Sequence, residues 1–355
     1  MSKKKALDTF KLNTQNLKDA LEKVKPGLAN KEFIETTTHY LFYQNKIITY
    51  NDKICISFNL DFFPISFAEK IFSVKAKDFY NIIKTIKSSE FTCKVSDKTF
   101  KIKSADTEAS ININTEDMSV KNMYDDLYNP QPKFKALENA EDFMKALSLC
   151  RFSASKDATN QNLYCVSVTK DRICSADNYR ASYYNIEENI PSFLIPATSV
   201  NELINYNVGK ICVADNWVHF ETDENLRFSS RLVAGDYPDL SPMFEKKKSQ
   251  KIILPSELSS ILSEVSVMSQ GDTDFEKEVD IHIENNVLSC TSKKDIGWLK
   301  KKMKIDSHNK DFSFQINPVF LAQILNKSDQ IEITDNIAYF TTDKFSHLIA
   351  ISSGE

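Results

Sequence analysis

The sequence predicts an α+β chain of three related domains, each with two helices packed on antiparallel sheets. Three observations carry this: a strand-to-helix step that recurs roughly every 120 residues, short amphipathic helices, and a pair of alternating strands behind each second helix. Domain boundaries are expected at 1–125, 126–246 and 247–355 of the 355 residues. A chain of this length can bury a core in each part.

The first strand-helix step reads FKLNTQNLKDALEKV from Phe10, FKALENAEDFMKALSLC from Phe134 and KIILPSELSSILSEVSVM from Lys251. A second step follows in each repeat: IFSVKAKDFYNIIKTI from Ile71, SFLIPATSVNELINY from Ser192 and FSFQINPVFLAQIL from Phe312. Leu17, Leu21 and Val24 fall at i, i+4 and i+7, and Phe79, Ile82, Ile83 and Ile86 repeat the pattern, so each helix has one face for a sheet and one for solvent. Asn13 or Thr14, Ser256 behind Pro255, and Asn317 before Pro318 are expected helix starts. The closing pairs FTCKVSDKTFKIKS, KICVADNWVHFETD and QIEITDNIAYFTTD alternate at period two around Asp, Ser or Asn, a hairpin pattern.

The 45 basic and 49 acidic residues give a net charge of -4, which excludes nucleic-acid binding by bulk positive charge and leaves local basic surface as the open question. Seven cysteines without a CxxC pair suit a reduced, intracellular protein with partly buried thiols. The start MSKKKALDTF has no apolar core, and no later run is long and apolar enough to span a bilayer, so neither secretion nor membrane insertion is expected.

No catalytic constellation emerges. His39, His219, His282, His308 and His347 lack HExxH or paired ligand spacing, and the chain has no GxxxxGK[ST] phosphate loop and no GxSxG elbow. Asp177, Asp239 and Asp343 sit at turns, where a carboxylate caps backbone N–H groups. Trp217 and Trp298 read as strand or surface-groove aromatics. No enzyme activity, cofactor or metal is expected.

The repeat resembles the DNA sliding clamps, specifically the three-domain beta subunit of bacterial DNA polymerase III. SSRLVAGDYPDLSPMF from Ser229 is similar to the segment that closes the family's second domain. ICSADNYRASYY from Ile173 is similar to the turn beside its partner pocket, and SELSSILSEVSVMSQGD to the first helix of its third domain.

The resemblance implies a DNA clamp fold and a head-to-tail homodimer forming a closed ring around double-stranded DNA, with helices lining the channel and sheets outside. It implies a cytoplasmic processivity factor on replicating DNA, with a DNA polymerase, an ATP-dependent clamp loader and other clamp-binding-peptide proteins as partners. Expected DNA-facing residues are Lys18, Lys23, Lys25, Lys75, Lys77, Lys84, Lys87, Lys145, Arg151, Lys210 and Lys327. The partner-peptide pocket maps to Ala176, Asn178, Tyr179, Arg180 and Ala181, to Pro238, Pro242 and Met243, and to Leu348, Ile349, Ala350 and Ile351; Tyr179 stands where the family often has His. Ring closure maps to Lys77, Lys103, Ala109 and Ile111 on one side and Val267 and Met268 on the other. The alternative reading is a clamp-like recruitment scaffold without stable DNA encirclement.

Overall fold

The computed structural model describes residues 9–353 except 32–33, 35, 161, 246–249, 270–272, 274–275, 306–311 and 335. The amino-terminal start 1–8, His308, the Asp335 turn and the expected boundary at 246 lie outside the described residues. Met1–Ala140 with Thr198–Ala234 form one compact unit, and Glu141–Ala197 with Gly235–Glu355 form the other.

Among the described residues the helices are α1 (Thr14–Val24), α2 (Ala76–Thr85), α3 (Ser119–Leu127), α4 (Ala140–Cys150), α5 (Ala197–Leu203), α6 (Leu258–Val265) and α7 (Pro318–Leu325). The sequence expectation of two helices per repeat accounts for all but α3. That helix forms because Val120, Tyr124 and Tyr128, four residues apart, find an apolar sheet face to cover. Asn13 accepts from the Asn16 N–H at 3.0 Å and Asn317 from Val319 and Phe320, as expected of caps. The expected cap at Ser256 is different: α6 starts at Leu258 behind Glu257 without a side-chain cap, and the Ser256 hydroxyl donates to the Glu257 carboxylate instead.

The first unit holds an antiparallel sheet of eight strands in the order Phe72–Lys75, His39–Tyr43, Lys46–Tyr50, Ile54–Asn59, Leu226–Arg231, Trp217–Thr222, Val208–Val213 and Lys135–Ala136. Its second sheet runs Thr9–Asn13, Glu90–Val95, Thr99–Lys103, Glu108–Asn112. The second unit repeats the eight-stranded design as Phe193–Pro196, Cys165–Val168, Arg172–Ala176, Arg180–Asn185, Phe345–Ala350, Ile337–Thr341, Gln330–Ile333 and Gln250–Ile253. A five-stranded sheet beside it runs Gly297–Lys304, Val287–Lys294, Val279–Glu284, Phe312–Ile316 and Ser352–Ser353.

Each eight-stranded sheet contains a seam between strands far apart in sequence. In the first unit Leu226 to Ser230 pair with Phe58 to Ile54, and in the second Arg180 to Tyr184 pair with Ile349 to Phe345. In both, a strand from the front half of one repeat meets a strand from the back half of the next.

Apolar residues at period two bury one sheet face under helices. Leu17, Leu21 and Val24 of α1 are fully buried, and Thr49 beneath it donates to the Val24 carbonyl. In the second unit Ser292 donates to the Val265 carbonyl at the end of α6. An aromatic core of Phe42, Phe63, Phe67, Phe72, Phe79 and Phe100 fills the space between strands and α2, with Phe42 and Phe72 stacked at 4.9 Å.

Candidate functional site

The basic surface of the first unit gathers on and beside α1 and α2, which pack against each other. Lys25, Lys75, Lys77, Lys84 and Lys87 are exposed, and Lys18 is half-buried with its Nζ 3.2 Å from the Ile86 carbonyl. Lys25 and Lys84 flank the Tyr80 ring at 5.3 and 5.4 Å. These cations have long stems along the helices and form an exposed, diffuse basic surface. Lys23 is different: its ammonium pairs with Glu224 and lies over Phe58, so its charge is largely answered inside the unit.

Lys210 also departs from the expected helical surface. It lies on the strand Val208–Val213 and pairs with Glu221 at 3.0 Å, so its placement among channel-lining helices does not hold. In the second unit Lys145 is exposed on α4, Arg151 is half-buried just beyond it, and Lys327 is exposed behind α7. Among the described residues no helix is long and apolar enough to cross a membrane.

The expected pocket residues come together on one sheet of the second unit, but period-two geometry sorts them onto opposite faces. Ala176, Ala181 and Leu348 share the face away from α7, in a cluster with Cys174 and Leu240 and with half-buried Leu163, Tyr183, Tyr237, Phe244, Ile337 and Tyr339 at its rim. Arg180 and Ile349 point the other way. Ile349 is fully buried. Arg180 is 3% exposed, donates to Asp177 at 3.1 Å and to Gln323, and stacks 4.0 Å from the Phe320 centroid. As pocket walls these two are corrected: they hold the turn from behind. Burial keeps the Asp177 carboxyl above its usual range, although Arg180 and the Tyr179 and Arg180 N–H groups pull it down.

The outer rim is supplied by the turn and by the segment Tyr237–Phe244. Asn178 is exposed, Tyr179 is 45% exposed, and the Tyr179 carbonyl accepts from the Ala350 N–H at 2.7 Å. Pro238, Pro242 and Met243 are exposed. Tyr237 accepts from the Ala176 N–H at 2.8 Å, and Tyr339 donates to the Met243 carbonyl at 3.2 Å, so two tyrosines pin this segment over the sheet. Ala350 is exposed beside it, and Ile351 is nearly buried. The aromatic rim was missed at the sequence level, although the alternation of Ala181 and Tyr183 against Arg180 and Ser182 contains the signal.

The residues expected at ring closure lie on or near two strands that are sheet edges among the described residues. Ala109 and Ile111 are half-buried on the edge strand Glu108–Asn112, with Lys103 exposed on its neighbour and Lys77 exposed on α2. Val267 is 69% exposed and Met268 half-buried in the turn after α6, next to the second edge strand, Gly297–Lys304. Exposed Ile296 and Trp298 belong to the same neighbourhood; Trp298 lies on a strand, as the sequence predicts, and Ile296 carries no expectation.

No family model matches the chain. A curated beta sliding clamp of Rickettsia felis is 26% identical over 237 residues, 59% of this chain; the match spans 61% of that relative's own length. The DNA polymerase III beta subunit of Thermotoga maritima superposes with a TM-score of 0.76 at 19% identity, covering 97% of this chain and 98% of that one. The Helicobacter pylori beta clamp, solved bound to a DNA ligase peptide, superposes with a TM-score of 0.78 at 16% identity, covering 98% and 100%. This chain has the fold of the beta sliding clamps. The two seams described above are therefore parts of that shared fold, and the clustered face around Ala176, Ala181 and Leu348 lies on its second eight-stranded sheet.

Proposed function

We propose that two copies of this clamp chain close head to tail into a ring that encircles duplex DNA, slides on it and tethers replication or repair proteins. The observation that carries the reading is a pairing left incomplete. Twice within the chain, the free edge of one repeat's front half-sheet pairs with the back half-sheet of the next repeat. Two half-sheets are left with the free edges Glu108–Asn112 and Gly297–Lys304. A second copy supplies the missing neighbour for each, which gives a cyclic dimer with two equivalent seams. The repeats 1–125, 126–246 and 247–355 would contribute six domains to such a ring.

Inside it, the lysines of α1 and α2 balance phosphate charge diffusely, as sliding requires. Outside it, the face around Ala176, Ala181 and Leu348 receives short peptides of a polymerase, a clamp loader and other partners, which stay at high effective concentration on the DNA. The work is mechanical and noncatalytic, done in the cytoplasm on replicating DNA. ATP chemistry belongs to the loader.

A second reading, a recruitment scaffold without stable encirclement, is favoured by one feature: lysines crowd both free edges, Lys101 and Lys103 beside one and Lys300, Lys302 and Lys304 on the other. Loading on nicked circular DNA followed by a wash at moderate salt separates the two. Retention on circles and rapid loss after linearisation supports the ring; equal loss from both, with loading verified, leaves the scaffold.

A further inference from the structure

We propose that the outer face of the five-stranded sheet binds single-stranded nucleic acid, along the lysine row of the edge strand Gly297–Lys304 and onto Trp298. Lys300, Lys302 and Lys304 alternate along that strand, so their side chains leave the same face, about 6.7 Å apart at the usual rise of a strand. All three are exposed, and among the described residues none forms an ion pair. Lys301, on the opposite face, is answered by Glu264 at 2.6 Å. Trp298 continues the row at 66% exposure, with exposed Lys293 directly across from it. Gly297, just before it, takes φ +149°, a conformation that favours glycine.

The neighbouring strand places Val287, Ser289 and Thr291 opposite Lys304, Lys302 and Lys300, and on the strands of this sheet the acids of that face, Asp280 and Glu284, are one strand further away. Asp280 accepts from Gln315 at 2.7 Å, and Glu284 lies 3.4 Å from the His282 ring, so both carboxylates have partners on their own strand or on its far side. Among the described residues the row therefore presents positive charge without an ion-pair partner.

The outer faces of both intrachain seams are covered by apolar segments of the chain: α3 over Leu41, Ile48 and Tyr50, and Tyr237–Phe244 over Cys174, Ala176 and Leu348. No described segment covers the lysine row. Evenly spaced cations that track a backbone, with an aromatic plane at one end for a base, suit an extended single strand. A duplex offers phosphates but no accessible base face, and an acidic peptide has nothing to stack. The surface lies opposite α6 and is present in one copy, so it needs no ring closure.

The test is fluorescence anisotropy of the full chain with labelled dT30, a 30-base-pair duplex and a poly-glutamate peptide, over a salt series. The wild type should bind dT30 more tightly than the other two. The Lys300→Gln, Lys302→Gln, Lys304→Gln triple variant should weaken dT30 binding at least tenfold and lower the salt slope by about 2, from 0.7 per released contact. Trp298→Ala should weaken it about fivefold or more while leaving the slope unchanged. Circular dichroism and sedimentation of each variant check fold and assembly, and Trp298→Ala gives an answer even if the triple variant changes assembly. Unchanged affinity and slope in the triple variant, no effect of Trp298→Ala, or equal or tighter binding of duplex or poly-glutamate would overturn the proposal. Topological retention on circular duplex is a separate readout, so failure here leaves ring closure standing.

Discussion

Lowering the pH from 7 to 5 should destabilise both units through two buried histidines. His347 is fully buried behind the pocket strand, with Nδ1 2.9 Å from the Ser182 hydroxyl, and burial beside Arg180 pushes its pKa down to about 3. His219 occupies the corresponding place in the first unit, 2.8 Å from Ser229, whose hydroxyl also meets Tyr128; burial and then Arg227 push its pKa down to about 4. Both stay neutral in the folded state down to pH 5, whereas in the unfolded chain each takes up a proton near 6.5. The unfolded state thus binds more protons across this window, and stability falls as pH falls. Each histidine costs about 2 kcal/mol between pH 7 and 5, at about 1.4 kcal/mol per pH unit below 6.5.

A loss of that size lowers the melting temperature of a unit of this length by about 4–8 °C. Most carboxylates with lowered pKa values, such as Asp106, Asp239 and Glu264, act at lower pH than this window. Asp177, held high by burial, works in the opposite sense, so the comparison must be made against variants. Melting of wild type, His219→Gln, His347→Gln and the double variant at pH 7, 6 and 5 should show each substitution removing about half of the histidine-dependent slope. Variants as pH-sensitive as the wild type would refute the reasoning.

Arg180→Ala should cost about 3–5 kcal/mol in chemical denaturation, because Asp177 is left buried without its cation; a loss below 1 kcal/mol would show that the pair is solvated. Tyr183→Ala should weaken binding of a clamp-binding peptide at least tenfold in calorimetry while leaving circular dichroism unchanged, since the ring forms the rim of the outer cluster. Ser110→Pro on the free edge removes a ladder N–H and should shift sedimentation from dimer to monomer, with no change expected if closure uses another surface. Changing Lys77, Lys84 and Lys87 together to Glu should shorten retention on circular duplex severalfold, an effect that high salt diminishes.

By itself the sequence determined the elements. Helix period, Asn caps and alternating hairpins are local signals, and they place α1, α2 and α7 and the strands of each closing pair where the structure has them. Resemblance added the clamp architecture and the pocket neighbourhood. What the tertiary structure decided is which edges meet and which faces stay open. Ile54 pairs with Ser230 and Arg180 with Ile349 across more than a hundred residues, and no local pattern encodes such a partner. The same pairing put Arg180 and Ile349 on one face of the sheet and Tyr183 and Tyr339 on the other, with Ala181 and Leu348, because a strand turns successive side chains to opposite faces. Lys210 and Lys300 look alike in sequence. One is answered by Glu221 across a ladder and the other faces Thr291, with no ion-pair partner among the described residues, because charge compensation depends on the neighbouring strand.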